Sequence, residues 1–277
     1  MKQYFLIILA VLVAYAPAIA WALPPRVFFR RVTTATTGDP INTAVFAGSQ
    51  YLRVSDSTPT GLGNSKSFTI AFWIRMNGGD GTGQRILDIS YGTIARFFIG
   101  RGTGNKIRSY GYNVGQSEIF QLTGASDVVV ASGWTHVVLA VDLSSTSNRA
   151  LYINGVNEGA TSTWHTYTND YINFLDTAGT RITIGADKEN TPGSFLNASI
   201  GELWFNDTYN NVIGDYYSGG NAVFLGANGS TPTGSQPVIY YSDNGTGNSW
   251  NFNNGTGPVL SKTGTLTVDA TPPTFVP

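Results

Sequence analysis

Whether this chain performs acid–base chemistry turns on the run GELWFND, residues 201–207. Read as an alternating strand, it points Glu202, Trp204 and Asn206 to one face and Asp207 to the other. Hydrolysis of a glycosidic bond with retention uses two carboxyl groups about 5 Å apart, and this strand presents one. A general acid without a nucleophile does not complete that reaction, so Glu202 is expected to cap or brace its sheet. His136, inside GWTHVVLAVDL (133–143), has the chemistry of a ligand or a base. Within so apolar a strand, the expectation is a hydrogen-bonded core histidine. The sequence contains no GxSxG, no HExxH, no phosphate loop and no GxGxxG.

Two loops are rich in oxygen ligands. NGGDGTG (77–83) holds Asp80 in a Gly-rich turn, and ADKENTPG (186–193) supplies Asp187, Glu189 and Asn190. Calcium takes six to eight oxygens, so these loops make it the candidate cofactor, with Asp187 and Asp80 as ligands; solvated loops are the alternative. WHTYTNDY (164–171) reads as a long polar connection, and Trp164, Tyr167 and Tyr171 cannot all be core if it is exposed. Aromatic rings stack on the apolar faces of sugars while Asn and Asp read hydroxyls. The expected carbohydrate-binding residues are therefore Trp164, Tyr167, Tyr171 and Asn190, unless the rings plug one end of the fold. Tyr110, Tyr112 and Asn113 in SYGYN form a second candidate surface.

The elements that must carry these residues are strands. Runs of Phe, Ile, Val, Thr and Trp alternate with Gly, Asn, Asp and Ser clusters, and almost nothing has helical period. Strands are expected at 44–48, 50–55, 67–76, 84–90, 95–101, 106–113, 134–143, 149–155, 181–186 and 198–206. PVIYYS and TGTLTVDA add two further candidates, and a short helix is expected at 211–217, ended by Gly219-Gly220. Residues 67–76 place Phe68, Ile70, Phe72 and Ile74 on one face and Thr69, Ala71 and Trp73 on the other. Both faces are apolar enough to predict a central strand covered on each side. Asn154-Gly155 signals a two-residue hairpin. This spacing of strands and turns implies an all-β sandwich or barrel.

Composition narrows the classes. With 16 Lys+Arg against 17 Asp+Glu there is no net basic footprint for nucleic acid. The absence of Cys removes disulfide scaffolds, thiolate metal sites and a cysteine nucleophile. A hydrophobic fraction of 42% can bury a substantial core, which argues against disorder.

SFTIAFWIRM, GQRILDIS, SGWTHVVLAVDLSSTSNRALYINGV and TRITIGADKENTPGSFLNASIGELWF, in that order, resemble the laminin-G-like pattern of concanavalin A-type jelly rolls. The resemblance spans about 44–206. It implies an antiparallel two-sheet β-sandwich, most members of which bind glycans, proteins or surfaces, with calcium often held at a rim. Hydrolases on this scaffold carry Glu-x-Asp-x-(x)-Glu; here Glu202 takes the first place and Trp204 stands at the second.

Lys2, the apolar run 5–16, Pro17 and the small residues around Ala20 and Ala22 read as a signal peptide. An uncleaved membrane-anchoring helix is the alternative. The expected organisation is a signal at 1–22, an extension at 23–43, the sandwich at 44–215 and a Gly/Asn-rich segment at 216–277. That segment resembles tails of phage and bacterial surface laminin-G-like proteins, and it is expected to complete or flank the sandwich or to join copies into a homo-oligomer. The sequence thus implies a secreted or cell-surface binding module for a glycan or surface polymer. The alternatives are a structural subunit of a virion or surface layer and a glycoside hydrolase.

Overall fold

The computed structural model describes residues 40–41, 43–54, 60–92, 94–174, 179–187, 192–242, 250 and 252–276. The expected signal helix at 1–22 lies outside them. Along the chain the strands are β1 (Thr43–Ala47), β2 (Tyr51–Arg53), β3 (Ser67–Met76), β4 (Gln84–Tyr91), β5 (Ile94–Arg101) and β6 (Lys106–Tyr112). Next come β7 (Glu118–Asp127), β8 (Thr135–Asp142), β9 (Arg149–Ile153), β10 (Val156–Asn157), β11 (Thr163–Tyr167) and β12 (Thr180–Ile184). The last are β13 (Asn197–Asn206), β14 (Tyr217–Ser218), β15 (Asn221–Val223), β16 (Ile239–Tyr241), β17 (Ser261–Thr263) and β18 (Phe275–Val276).

Two antiparallel sheets face each other. One runs β1-β13-β3-β8-β9-β10 with β16 also on β13, and the other runs β11-β7-β6-β5-β4-β12-β2-β17. Their inner faces meet in one apolar cluster that includes Phe68, Ile70, Phe72 and Ile74 from β3, Val137 and Leu139 from β8, and Phe97, Phe120 and Ile182 from the facing sheet. Alternation puts every second side chain there.

The other face of the seven-stranded sheet is covered as well. Ala71, Val138 and Trp204 pack under Tyr216 and Leu225, while Trp73 packs with Ile41, Ala222 and Phe275. The covering residues come largely from the segment after residue 212, which explains why β3 is apolar on both sides. That segment also closes on an edge strand of each sheet: β17 pairs with β2 of the second, and the amide of Val45 in β1 of the first donates to the Thr267 carbonyl at 2.8 Å, with Leu266 buried.

Three expectations are corrected. The helix at 211–217 is a single 3-10 turn, Ile213–Asp215. Gly219-Gly220 ends no helix; with φ of 57° and 92° it makes the two-residue turn between β14 and β15. The polar connection expected at 164–171 begins as β11 (Thr163–Tyr167), an edge strand on β7, and β7 itself escapes sequence reading because Gln121, Thr123 and Ser126 dilute its apolar rhythm.

Candidate functional site

Glu202 sits in a β-bulge of β13, where Gly201 faces Trp73 and Trp204 faces Ala71, leaving Glu202 and Leu203 opposite one residue. It adopts the left-handed conformation, φ 49°, which disfavours any residue but Gly. Its carboxyl is buried, accepts from the Tyr240 hydroxyl at 2.8 Å, and accepts from the Ser242 hydroxyl. Burial pushes it up to about 7, and the two hydroxyls oppose the shift. The group braces β13 against β16, as expected from a lone carboxyl on this strand.

His136 projects from β8 onto the outer side of the same sheet. Its ring lies between Trp73, 4.9 Å away, and Tyr217, stacked at 5.2 Å. Nδ1 has no hydrogen-bond partner among the described residues, so the histidine is core but not hydrogen-bonded there. Burial depresses it to about 3 and keeps it neutral.

The rim residues named from sequence divide. Trp164 packs on Phe120 and Tyr167, carries the Arg149 guanidinium 5.0 Å from its ring, and donates Nε1–H to the Gly159 carbonyl at 2.9 Å. The Tyr167 hydroxyl is shared by the carbonyls of Asp142 and Asn148. Both polar handles therefore serve the chain's own backbone. Tyr171 is exposed, with the Lys66 ammonium 4.7 Å from its ring. Glu189 and Asn190 lie outside the described residues.

The two candidate calcium ligands already face cations. Asp80 pairs with the buried Arg101 at 2.6 Å. Asp187 accepts the Gly193 amide at 2.7 Å, and its field acts on Arg85. No cluster of three or more Asp, Glu, His or Cys forms among the described residues.

The second aromatic surface gathers groups instead. On the outward face of the eight-stranded sheet, Phe98 of β5 stacks on Tyr110 of β6 with centroids 4.7 Å apart. The Arg85 guanidinium lies 3.4 Å over Phe98, and that of Arg108 lies 5.0 Å from Tyr110. The Tyr110 hydroxyl accepts from Gln121 at 2.9 Å, and Arg96 donates to the Asn113 carbonyl at 3.5 Å. Asp88, buried beneath, lies 3.8 Å from Arg85. Burial lowers Arg85 while Asp88 opposes that shift, and burial raises Tyr112. The Nε groups of Arg85, Arg96 and Arg108 are buried with no hydrogen-bond partner among the described residues. Flat guanidinium groups held over rings are pre-ordered donors, suited to planar anions and to hydroxyls. Sequence reading found Tyr110, Tyr112 and Asn113 but missed the arginines; the available signal was an Arg near the start of each of QRIL, ARFF and KIRS.

Residues 46–212, more than half of the chain, match a laminin G-type family described as the concanavalin A-like lectin/glucanases superfamily. No curated protein matches the sequence. Among solved structures, a Bacteroides ovatus protein to which carbohydrate binding has been ascribed is similar over 84% of this chain and 61% of its own, at 14% identity and a TM-score of 0.58. A pentraxin of Limulus polyphemus is similar over 62% of this chain and 78% of its own, at 13% identity and a TM-score of 0.45. Domains LG4-5 of the mouse laminin alpha1 chain give 60%, 41%, 13% and 0.40 for the same measures. These likenesses concern the fold.

Proposed function

The chain belongs to the concanavalin A-like lectin/glucanases superfamily, and from that premise we propose that it is a non-catalytic binding module for carbohydrate. The observation that carries the reading is the outward face of the eight-stranded sheet, where Phe98, Tyr110, Arg85 and Arg108 form an ordered aromatic–guanidinium surface. Glu202, by contrast, is sealed among Tyr240, Ser242 and the strands of the other sheet, with no second carboxyl bonded to it among the described residues. The 5–16 run supports export, which would put this face in contact with extracellular or cell-surface polymers. Among the described residues no helix is long and apolar enough to cross a membrane.

A glycan array probed with the full chain, followed by calorimetric titration of the best hit, tests the reading. The expected dissociation constant is roughly 0.1–1 mM, because an open surface buries few sugar atoms. Tyr110→Ala should weaken binding about tenfold, because it removes the ring that holds the Arg108 guanidinium and the hydroxyl bonded to Gln121. An array without hits, or a hit indifferent to Tyr110→Ala, overturns the reading. Release of reducing ends from laminarin, agarose or carrageenan that disappears in Glu202→Gln would overturn its non-catalytic part.

A further inference from the structure

A pocket of about 390 Å³ opens where the chain leaves β13 and meets the segment that covers the seven-stranded sheet. Its size falls within the roughly 300–1,000 Å³ usual for small-ligand sites. One wall is Asn206, Thr208, Tyr209 and Asn210; the other is Asp215, from the 3-10 turn, with Pro232 and Thr233. Asp215 and the wall at 232–235 lie beyond residues 46–212, so the family-matching part of the chain does not build this pocket by itself. It stands on the sheet opposite to the one that carries Phe98 and Tyr110.

Asn210 ties the two walls together. Its amide donates to the Thr69 hydroxyl at 2.8 Å, and its Nδ2 donates to Asp215 Oδ2 at 3.1 Å and to the Pro232 carbonyl at 3.0 Å. Its Oδ1 accepts the Val212 amide at 3.0 Å, so both ends of that side chain are spent. Asn206 Nδ2 donates to the Thr208 hydroxyl at 3.0 Å. What is left over is acceptor, since Asp215 Oδ1 and Asn206 Oδ1 have no hydrogen-bond partner among the described residues. No Lys or Arg lines the pocket, and no ion pair reaches Asp215 among the described residues. Asp142, whose charge acts on Tyr209, adds to the negative field, while Arg149 is held against the Trp164 and Tyr167 rings.

A pocket with a carboxylate, a surplus of acceptors and no cation of its own complements a positively charged donor. We infer that it binds a primary alkylammonium group, the ammonium on Asp215 Oδ1 and the alkyl stem along Val212 and Pro232. An ammonium makes single bonds to separate acceptors, and the Tyr209 ring offers it a cation–π contact. A guanidinium is less suited, because its fork takes both oxygens of a carboxylate and Asp215 Oδ2 already accepts from Asn210. A neutral sugar is less suited too, because the side-chain amide donors of the walls are already engaged. Free amines and lysine side chains of a partner protein share this chemistry. The inference is independent of the sheet-face reading, which depends on other residues.

The test titrates the isotope-labelled full chain with n-butylamine, N-acetyl-lysine methylamide, N-acetyl-arginine methylamide and glucose, following amide shifts by NMR. Both ammonium compounds should shift the Asn206 and Asn210 side-chain amides and the Val212 amide saturably, with millimolar affinity that salt weakens. Tighter binding of the lysine derivative assigns a partner's lysine as the ligand, and equal or tighter binding of n-butylamine assigns a free amine. Asp215→Asn keeps an acceptor for Asn210 and should weaken binding about tenfold at unchanged melting temperature. Should that variant melt early, Val212→Lys decides, because a tethered ammonium at this exposed position should lower the affinity for either compound about tenfold. No saturable shift with either ammonium compound, tighter binding of the arginine derivative or of glucose, or normal binding by the deciding variant overturns the inference. The sheet face is tested separately by Tyr110→Ala, so failure of one reading leaves the other standing.

Discussion

Glu202 combines a left-handed backbone, full burial and two hydroxyl donors at one position. Its folded-state pKa of about 7 lies above its ordinary value of 4.5. The native chain therefore holds a proton that the unfolded chain releases between those two pH values. Stability from this group is fully present below about pH 4.5 and declines as pH rises to about 7, beyond which it is level. The full difference is on the order of 3 kcal/mol. Urea denaturation at pH 5, 6, 7 and 8 isolates this group as the stability of the native protein minus that of Glu202→Gln, which should fall with rising pH and reach zero or below at pH 8. A parallel pH profile in the variant would assign the dependence elsewhere. His136, depressed by burial to about 3 from 6.5, acts in the opposite sense: the unfolded chain takes up a proton that the native chain does not, so its contribution rises with pH between those values in both proteins and cancels from the difference.

Among the elements, the β9–β10 hairpin shows how a local signal acquires a tertiary role. Asn154 and Gly155 have φ of 48° and 78°, the conformation that a two-residue turn with right-handed strand twist demands. The Asn154 side chain also accepts the His136 amide at 2.8 Å, joining the turn to β8. A Cβ on Gly155 would come within 2.5 Å of the Tyr217 ring, which stacks on His136. Gly155→Ala should thus cost about 2–4 kcal/mol, through a disfavoured φ and a clash with the covering segment. Thermal melting checks this, and a loss below about 1 kcal/mol would mean that Tyr217 moves aside freely. Edge strand β11 makes the complementary point, because its aromatic pair faces inward at a sheet margin where the sequence reads as polar loop.

At the scale of the whole molecule, the segment after residue 212 covers a second apolar face rather than extending away from the sandwich. Tyr216, Leu225 and Phe275 lie over Ala71, Trp73, Val138 and Trp204, and the Trp204 indole donates to the Gly229 carbonyl at 2.8 Å. A chain ending at residue 215 would lose β16, β17 and this cover, leaving large aromatics open to water. We expect it to aggregate, or to bind 1-anilinonaphthalene-8-sulfonate strongly, where the full chain does neither. A soluble, cooperatively melting 1–215 product would show that the preceding strands suffice. Leu260, Leu266 and Phe275 of this segment are buried within the chain, whereas Phe252, Val259 and Val268 are exposed.

The limits of β3, the central place of that strand, the Asn154-Gly155 turn and the all-β class were legible from sequence. Each depends on local chemistry: side chains alternating every two residues, and turns that need positive φ. The isolation of Glu202 as a lone carboxyl was legible for the same reason, although the bulge that turns it was not, since nothing local requires an extra residue at 202. The sharing of one outward sheet face by five arginines could be read only from the tertiary structure. Arg53, Arg85, Arg96, Arg108 and Arg181 are spread over more than a hundred residues and come onto one sheet because β12 inserts between β2 and β4. Each strand's own pattern says which residues share a face. The pairing of strands distant in sequence, driven by burial of the opposite face, decides which charges must share a surface.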